Sequence, residues 1–404
     1  MIDNNHQAGS IEDGQMTKLR GSSRRLLFLA ATALAVGIGL GGAGPGAAQE
    51  ALKFGLALPL TGAQALYGQD QITAAEMAVA DINKAGGVNG KKLEMVVLDT
   101  QADPQVGINA VNRLVRVEKV PVFVTGFSGV VKAVAPIAND NKVVELSVGA
   151  NSPSVAQLGD YVYTTYPLAD IDVTALAKYV HKDLGKKRAA ILYINDETGT
   201  VAAGVFRKTF TDAGGQVVAF EAYDPKATDF TGQILKVRAS NPDMIHIHGL
   251  VADTPQVIAQ MRQLGLNQTV TSYAAIYNPR LIQSLGKGAE GIIVTSLAPG
   301  PSDSPKVKDY VDRWQKEKNR EPNGLPYTQY LYDAPYLVAQ VFGSLDKKGK
   351  KITGESFREE MLAIRTFDLP VTGKTEILPN HTVTKPVYLM EVKDGQWVRK
   401  AIVE

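Results

Sequence analysis

Short apolar runs alternate with amphipathic segments from about residue 52 to residue 300, and this alternation constrains the fold more than any other feature. Residues 54–60 form an apolar run stopped by Thr61-Gly62; Ala75, Ala78, Val79 and Ile82 then recur at helical spacing until Gly86-Gly87 ends the pattern. Residues 93–98 read as the next strand. Asp103-Pro104 reads as an N-cap with proline in the first helical position, opening a helix that buries Ala110, Val111, Leu114 and Val115. Strands at 120–124 and 143–148 flank a helix that starts near Ser128. The cycle then restarts with a helix over 171–184, a strand over 189–194 and a helix over 201–213. Strands at 217–220, 244–248 and 292–294 follow, with helices over 228–239 and 254–264. Near-continuous apolar strands between amphipathic helices predict parallel sheets covered on both faces. Two such runs of similar length predict an α/β protein of two lobes. A long helix over 327–345 and hairpin-like stretches at 372–378 and 387–392 predict that the chain returns to complete both lobes. No short-period repeat points to a solenoid.

The first 48 residues read differently. Arg24-Arg25 precede fifteen uncharged residues, Leu26 to Leu40, and small residues lead to Gly46 and Ala48. A helix of 15 residues is roughly 22 Å long, short of the ~30 Å hydrocarbon core of a bilayer. A basic flank, a short apolar core and a small-x-small exit predict an export signal cleaved after Ala48. Residues 23–29 also resemble a twin-arginine motif, although two arginines serve equally as ordinary n-region charge. Asp3, Glu12 and Asp13 are foreign to such a signal, so Met16 is an alternative start.

The segment carries four basic and three acidic residues, which leaves 39 basic against 38 acidic in the remainder. That balance offers no footprint for nucleic acid or a membrane surface. The remaining 356 residues exceed what one core serves, in line with two lobes. The chain has no cysteine, which removes disulfides, thiolate metal sites, a cysteine nucleophile and a lipid-anchor cysteine together. A soluble protein of a bacterial periplasm is expected.

Leu60-Thr61-Gly62, Tyr67-Gly68 and the run Ala80 to Gly90 resemble the opening of a type I periplasmic solute-binding protein, of the leucine/isoleucine/valine-binding branch of ABC importers. Asp99, Asp103-Pro104, Gly126-Phe127-Ser128, Pro225, Asp229-Phe230 and Glu290-Gly291 continue the likeness in order over residues 52–400. The resemblance implies two lobes joined by three hinge crossovers, with solute in the cleft between them. Lobe 1 would comprise residues 49–169 completed by 299–385, and lobe 2 residues 170–298 completed by 386–404. It implies a monomer delivering solute to permease subunits in the inner membrane; a sensory role for the same clamshell stays open.

Open α/β sheets bind ligands beyond the carboxyl ends of their strands. Ser128, where a helix follows the strand ending at Gly126, fits a carboxylate held by free amides and the helix dipole; it fits an N-cap equally. The resemblance moves Ser128 towards ligand contact and adds Gly149, Ala150 and Asn151, where the family holds the carboxylate and amino groups. Tyr67 matches a pocket aromatic. Thr198 takes a place often held by tyrosine, in a turn that is otherwise ordinary. Two departures stand out: Ala274 occupies the place of the family's ammonium-binding acid, and Leu250 replaces a closing tyrosine. An unpaired buried ammonium is very costly, so Asp196 or Glu197 would have to supply the charge. Otherwise Tyr67, Phe127, Tyr273 and His248 would hold an aromatic or other acid lacking the amine. His246-x-His248 has strand spacing that would let two imidazoles share a metal, but no third ligand is evident, and no metal or cofactor is expected. Neither a nucleophile elbow nor a dinucleotide fingerprint is present, so a binder, not an enzyme, is expected.

Overall fold

A computed structural model describes residues 51–403. The export segment read at 1–48 lies outside the described residues. The first half builds a five-stranded sheet from β1 (Leu52–Leu58), β2 (Leu93–Asp99), β3 (Val122–Thr125), β4 (Val144–Ser147) and β5 (Val162–Thr164). Their order is β2-β1-β3-β4-β5 and every pairing is parallel. Helices α1 (Ala65–Lys84), α2 (Pro104–Arg116) and α3 (Ser128–Asn141) make the crossovers. Asp103 caps α2 as expected, accepting from the amides of Gln105 and Val106.

Helix α4 (Ala169–Lys182) leads into a second sheet of β6 (Arg188–Ile194), β7 (Gln216–Tyr223), β8 (Met244–His248), β9 (Thr269–Ser272) and β10 (Ile293–Ser296). Helices α5 (Glu197–Asp212), α6 (Thr231–Ala239), α7 (Thr254–Gln263) and α8 (Pro279–Leu285) connect them. The chain then runs through α9 (Pro305–Lys318), α10 (Leu325–Lys347) and α11 (Gly354–Ile364), then the small hairpin β11 (Thr366–Leu369) with β12 (Gly373–Glu376). It closes with β13 (Val387–Lys393) and β14 (Gln396–Val403). These last two join the second sheet, whose order is β14-β13-β10-β9-β8-β6-β7, and β13 pairs antiparallel to β10. The architecture is therefore α/β with two lobes, each a largely parallel sheet flanked by helices.

Helix α10 packs on α1, and α11 on β4, so residues after β10 return to the first sheet before β13 returns to the second. Asp81 of α1 ties the first return, accepting from Tyr332 Oη at 2.6 Å and from Arg313 Nη1 at 2.5 Å. The stretch read as a hairpin at 372–378 pairs instead with residues 366–369. Strand β5 has three residues, too few to show a period, and β9 reads Thr-Val-Thr-Ser, too polar to stand out. Helix α9 does carry a signal: Val307, Tyr310, Val311 and Trp314 are buried at positions i, i+3, i+4 and i+7 of an otherwise charged segment.

Candidate ligand-binding site

The turns that follow the carboxyl ends of β3, β4, β6, β8 and β9 converge on one cavity between the two sheets. The start of α1 and of α10 completes its wall. About 430 Å³ of atom-free space lies within this lining, solvent open to the cleft included. Gln64, Tyr67, Gln71, Phe127, Ser128, Val148, Gly149, Asn151 and Tyr327 line it from the first sheet's side; Thr198, Leu250, Val251, Tyr273 and Ala275 line it from the second's. No acidic or basic side chain is among them.

The β3–α3 turn is built around two constraints. Phe127 sits at φ 66°, a conformation few non-glycine residues adopt, and it turns the chain sharply into α3. No side chain caps the first turn of α3, so its amides face the cavity end unclaimed. Ser128 is buried, and its Oγ accepts from the amide of Ser152 at 3.2 Å. The acceptor side of that hydroxyl is thus in use and its proton is free to donate. Gly149 packs against Tyr327: its φ is 89°, and a Cβ there would come within 2.7 Å of the Tyr327 ring. Asn151 is almost wholly buried beside it, and neither its Oδ1 nor its Nδ2 has a protein partner.

Aromatic rings supply the rest of the wall. Tyr67 and Tyr327 lie 5.9 Å apart, and Tyr327 stacks on Tyr166 behind it at 5.0 Å. Tyr67 Oη donates to the carbonyl of Ala275, a bond that crosses from the first sheet's side of the cavity to the second's. Tyr273 stacks on His248 at 3.9 Å and 9°. Burial holds the Tyr67, Tyr273 and Tyr327 phenols above their ordinary range, so all three stay neutral.

Of the residues singled out from sequence, Tyr67, Phe127, Ser128, Gly149, Asn151, Thr198, Leu250 and Tyr273 come together on the cavity. Ala150, His248 and Ala274 do not line it. Ala150 is buried in the core beneath the β4 turn. Ala274 is fully buried at the start of a short 3-10 turn, and its neighbour Ala275 faces the cavity instead. His248 lies behind Tyr273 as the back of the wall, with desolvation pushing its pKa down to about 3. His246 is equally buried, stacks on Phe206 at 4.0 Å and meets Thr271 Oγ1 at 3.1 Å. The two histidines therefore belong to an aromatic ladder under the cavity.

The candidate ammonium partners are engaged elsewhere. Asp196 Oδ1 accepts from the amide of Gly199 at 2.8 Å and caps α5. Glu197 pairs with Lys132 at 3.0 Å and accepts from Ser154 Oγ at 2.8 Å and Ser152 Oγ at 3.3 Å. Those contacts tie α5 to α3 and to the turn after β4, outside the cavity wall. Gln64, Gln71 and Tyr327 are lining residues that sequence reading missed. Gln64, the residue that precedes α1, and Gln71 within it lie three and four positions from Tyr67, and that spacing of polar residues along a buried helix face was a readable signal. Tyr327 had none, since it is 260 residues away from Tyr67 in the chain.

Comparison with known proteins agrees with this architecture. The periplasmic binding protein family profile matches residues 51–396. The chain is 29% identical over 329 residues to the leucine-, isoleucine-, valine-, threonine- and alanine-binding protein of Pseudomonas aeruginosa, covering 80% of this chain and 85% of that one. Among solved structures, a leucine-binding protein from Thermotoga maritima superposes with a TM-score of 0.79 at 26% identity, covering 87% and 99% of the two chains. An ABC-transporter solute-binding protein from Rhodopseudomonas palustris, in complex with 3,4-dihydroxybenzoic acid, gives 0.77 at 25% identity, covering 88% and 97%.

Proposed function

The chain belongs to the periplasmic binding protein family, and from that premise we propose that it is the substrate-binding component of an ABC transporter of the branched-chain amino acid type. It captures a small carboxylate-bearing solute in the cavity between its lobes and delivers it to permease subunits in the inner membrane. One observation carries the reading: the uncapped start of α3, with the free Ser128 proton beside it, faces a cavity that has no charge of its own. Unclaimed amides at a helix start favour an anion, and a carboxylate accepts from several donors at once. Relatives named for leucine, isoleucine and valine support an amino acid as the solute. We take the lobes as residues 49–169 with 299–385 and 170–298 with 386–404, and place the protein, as a monomer without catalytic activity, in the periplasm after removal of residues 1–48.

The charge-free wall favours a second reading for the solute. Asp196 and Glu197 are committed to the α5 cap and to Lys132, and Ala274 offers no acid, so an ammonium would enter the cavity unpaired. An aromatic or aliphatic acid lacking the amine has no such cost, and the R. palustris structure holds an acid of that kind. Calorimetric titration of leucine, its desamino analogue, benzoate and the matching primary amides tests both readings. Acids should bind at least about tenfold tighter than their amides, as a charge-assisted bond requires. Equal affinity for acid and amide would refute the α3 anchor, and leucine as the sole tight ligand would refute the amine-free reading.

A further inference from the structure

Gln71 lies two turns into α1, on the same face as Tyr67, and is 3% exposed. It lines the cavity, and its Oε1 has no hydrogen-bond partner in the protein. The neighbouring groups do not supply one. The Tyr67 hydroxyl is committed to the Ala275 carbonyl. Asp70, the residue before it, is locked by Arg320 and by the amide and side chain of Asn323, which fixes this part of α1 in place. A buried amide oxygen left without a donor is expensive, and such groups in native proteins are almost always paired. On the same cavity, Asn151 presents a second amide with both polar atoms unpaired. The wall thus offers neutral acceptors and donors and no ionic ones.

We infer that Gln71 is a specificity-determining residue whose side-chain carbonyl accepts a hydrogen bond from a hydroxyl of the solute, so that hydroxy-substituted carboxylic acids are the preferred class. The inference rests on the carboxylate-binding reading and takes its amine-free branch. A hydroxyl satisfies Oε1 without bringing a charge into a wall that has no counter-charge. An acid lacking the hydroxyl leaves Oε1 as unpaired in the closed complex as it is in the free protein. Sites built to hydrogen-bond a solute hydroxyl reject the analogue lacking it far more strongly than they reject a change of one methylene.

The test measures dissociation constants of the full mature chain for two pairs: 4-hydroxybenzoate with benzoate, and 2-hydroxy-4-methylpentanoate with 4-methylpentanoate. Leucine serves as the ammonium counterpart of the second pair. In the wild type, the hydroxy acid of at least one pair should bind about tenfold or more tighter than its parent. In Gln71→Met, which keeps the length of the side chain and removes the acceptor, that ratio should fall to about twofold or less. The fall should come from the hydroxy acid alone, with the parent bound as before or tighter. A merely structural role for Gln71 would weaken both members equally, and that result would overturn the inference. So would equal affinity within both pairs in the wild type, which needs no variant to fold, or leucine binding more tightly than its hydroxy counterpart. Binding of acids with a ratio indifferent to Gln71 removes this inference and leaves the carboxylate reading standing; no binding by any of the acids removes both.

Discussion

Two helices point their first turns towards the cleft, and they end differently. Helix α3 begins at Ser128 after a strained Phe127 and has no side-chain cap. Helix α5 begins at Glu197 after Asp196, whose carboxylate accepts from the Gly199 amide. Both starts carry the positive end of a helix dipole. At α5 the protein answers that partial charge with its own carboxylate; at α3 no side chain of the protein caps it. Under the proposed reading, equivalent turns on the two sides of one cavity divide the work, one holding an anion and one holding the fold. Charged side chains appear only outside the wall, where Lys132 is about half exposed and pairs with Glu197 across the cleft mouth. Water there lowers the cost of desolvation, whereas inside the cavity an unpaired charge would face the full penalty.

The comparison can be broken most directly at α3. Ser128→Ala should weaken carboxylate binding by ~1.5–3 kcal/mol, with a separate loss of ~1–3 kcal/mol of stability in the free protein as the buried Ser152 amide loses its partner. Calorimetry beside urea denaturation separates the two; unchanged affinity would mean the α3 start is no anchor. At α5 the pattern should invert. Asp196→Ala should cost ~0.5–2 kcal/mol of stability through the lost cap, while affinity changes little. A large affinity loss with intact stability would show that Asp196 meets the solute after all.

Smaller effects sharpen the picture. Lys132→Met removes a partly exposed pair that ties α3 to α5, so closure should weaken by only ~0.2–1 kcal/mol, and equally for every solute. The effect should fade as salt is raised, because exposed charges are screened. An effect confined to one solute would place Lys132 in recognition. The smallest signal is a slope. Desolvation raises the Asp196 carboxyl above its ordinary range, with the Gly199 and Thr198 amides opposing it. Its contribution is therefore fully present below the unfolded value near 3.9 and is lost as pH rises through the folded one. Asp196→Asn keeps a capping oxygen and removes the titration, so its stability relative to wild type should rise from pH 4 to pH 7. A constant difference across that range would show that Asp196 titrates normally.

Ser128, Gly149, Asn151, Thr198 and Tyr273 sit in turns just beyond strand ends, where an open α/β sheet places its ligands; position along the chain brings Ser128 forward, while the family resemblance brings the other four. Ala274 and Ala275 show the limit. They are adjacent in a 3-10 turn, and only its rotation decides which of them faces the cavity. His248 was drawn to the cleft by its strand end, yet its ring packs behind Tyr273. Gln64 and Gln71 were visible as polar residues three and four positions from Tyr67, although without the cavity that spacing had no meaning.

The alternation of apolar runs and amphipathic segments determined the parallel strands of the two sheets, because burying both faces of a strand demands helices on each side. The missing cysteines and the near-zero charge balance likewise excluded whole classes of chemistry from composition alone. Tertiary structure decided what sequence could not: that Tyr327 meets Tyr67, that Asp196 and Glu197 turn to a cap and a latch, and that the cavity wall carries no charge. Local pattern reports which face of an element is buried, since that depends on the period of the backbone. Which groups then meet across a cleft depends on the packing of elements hundreds of residues apart, and no local period encodes it.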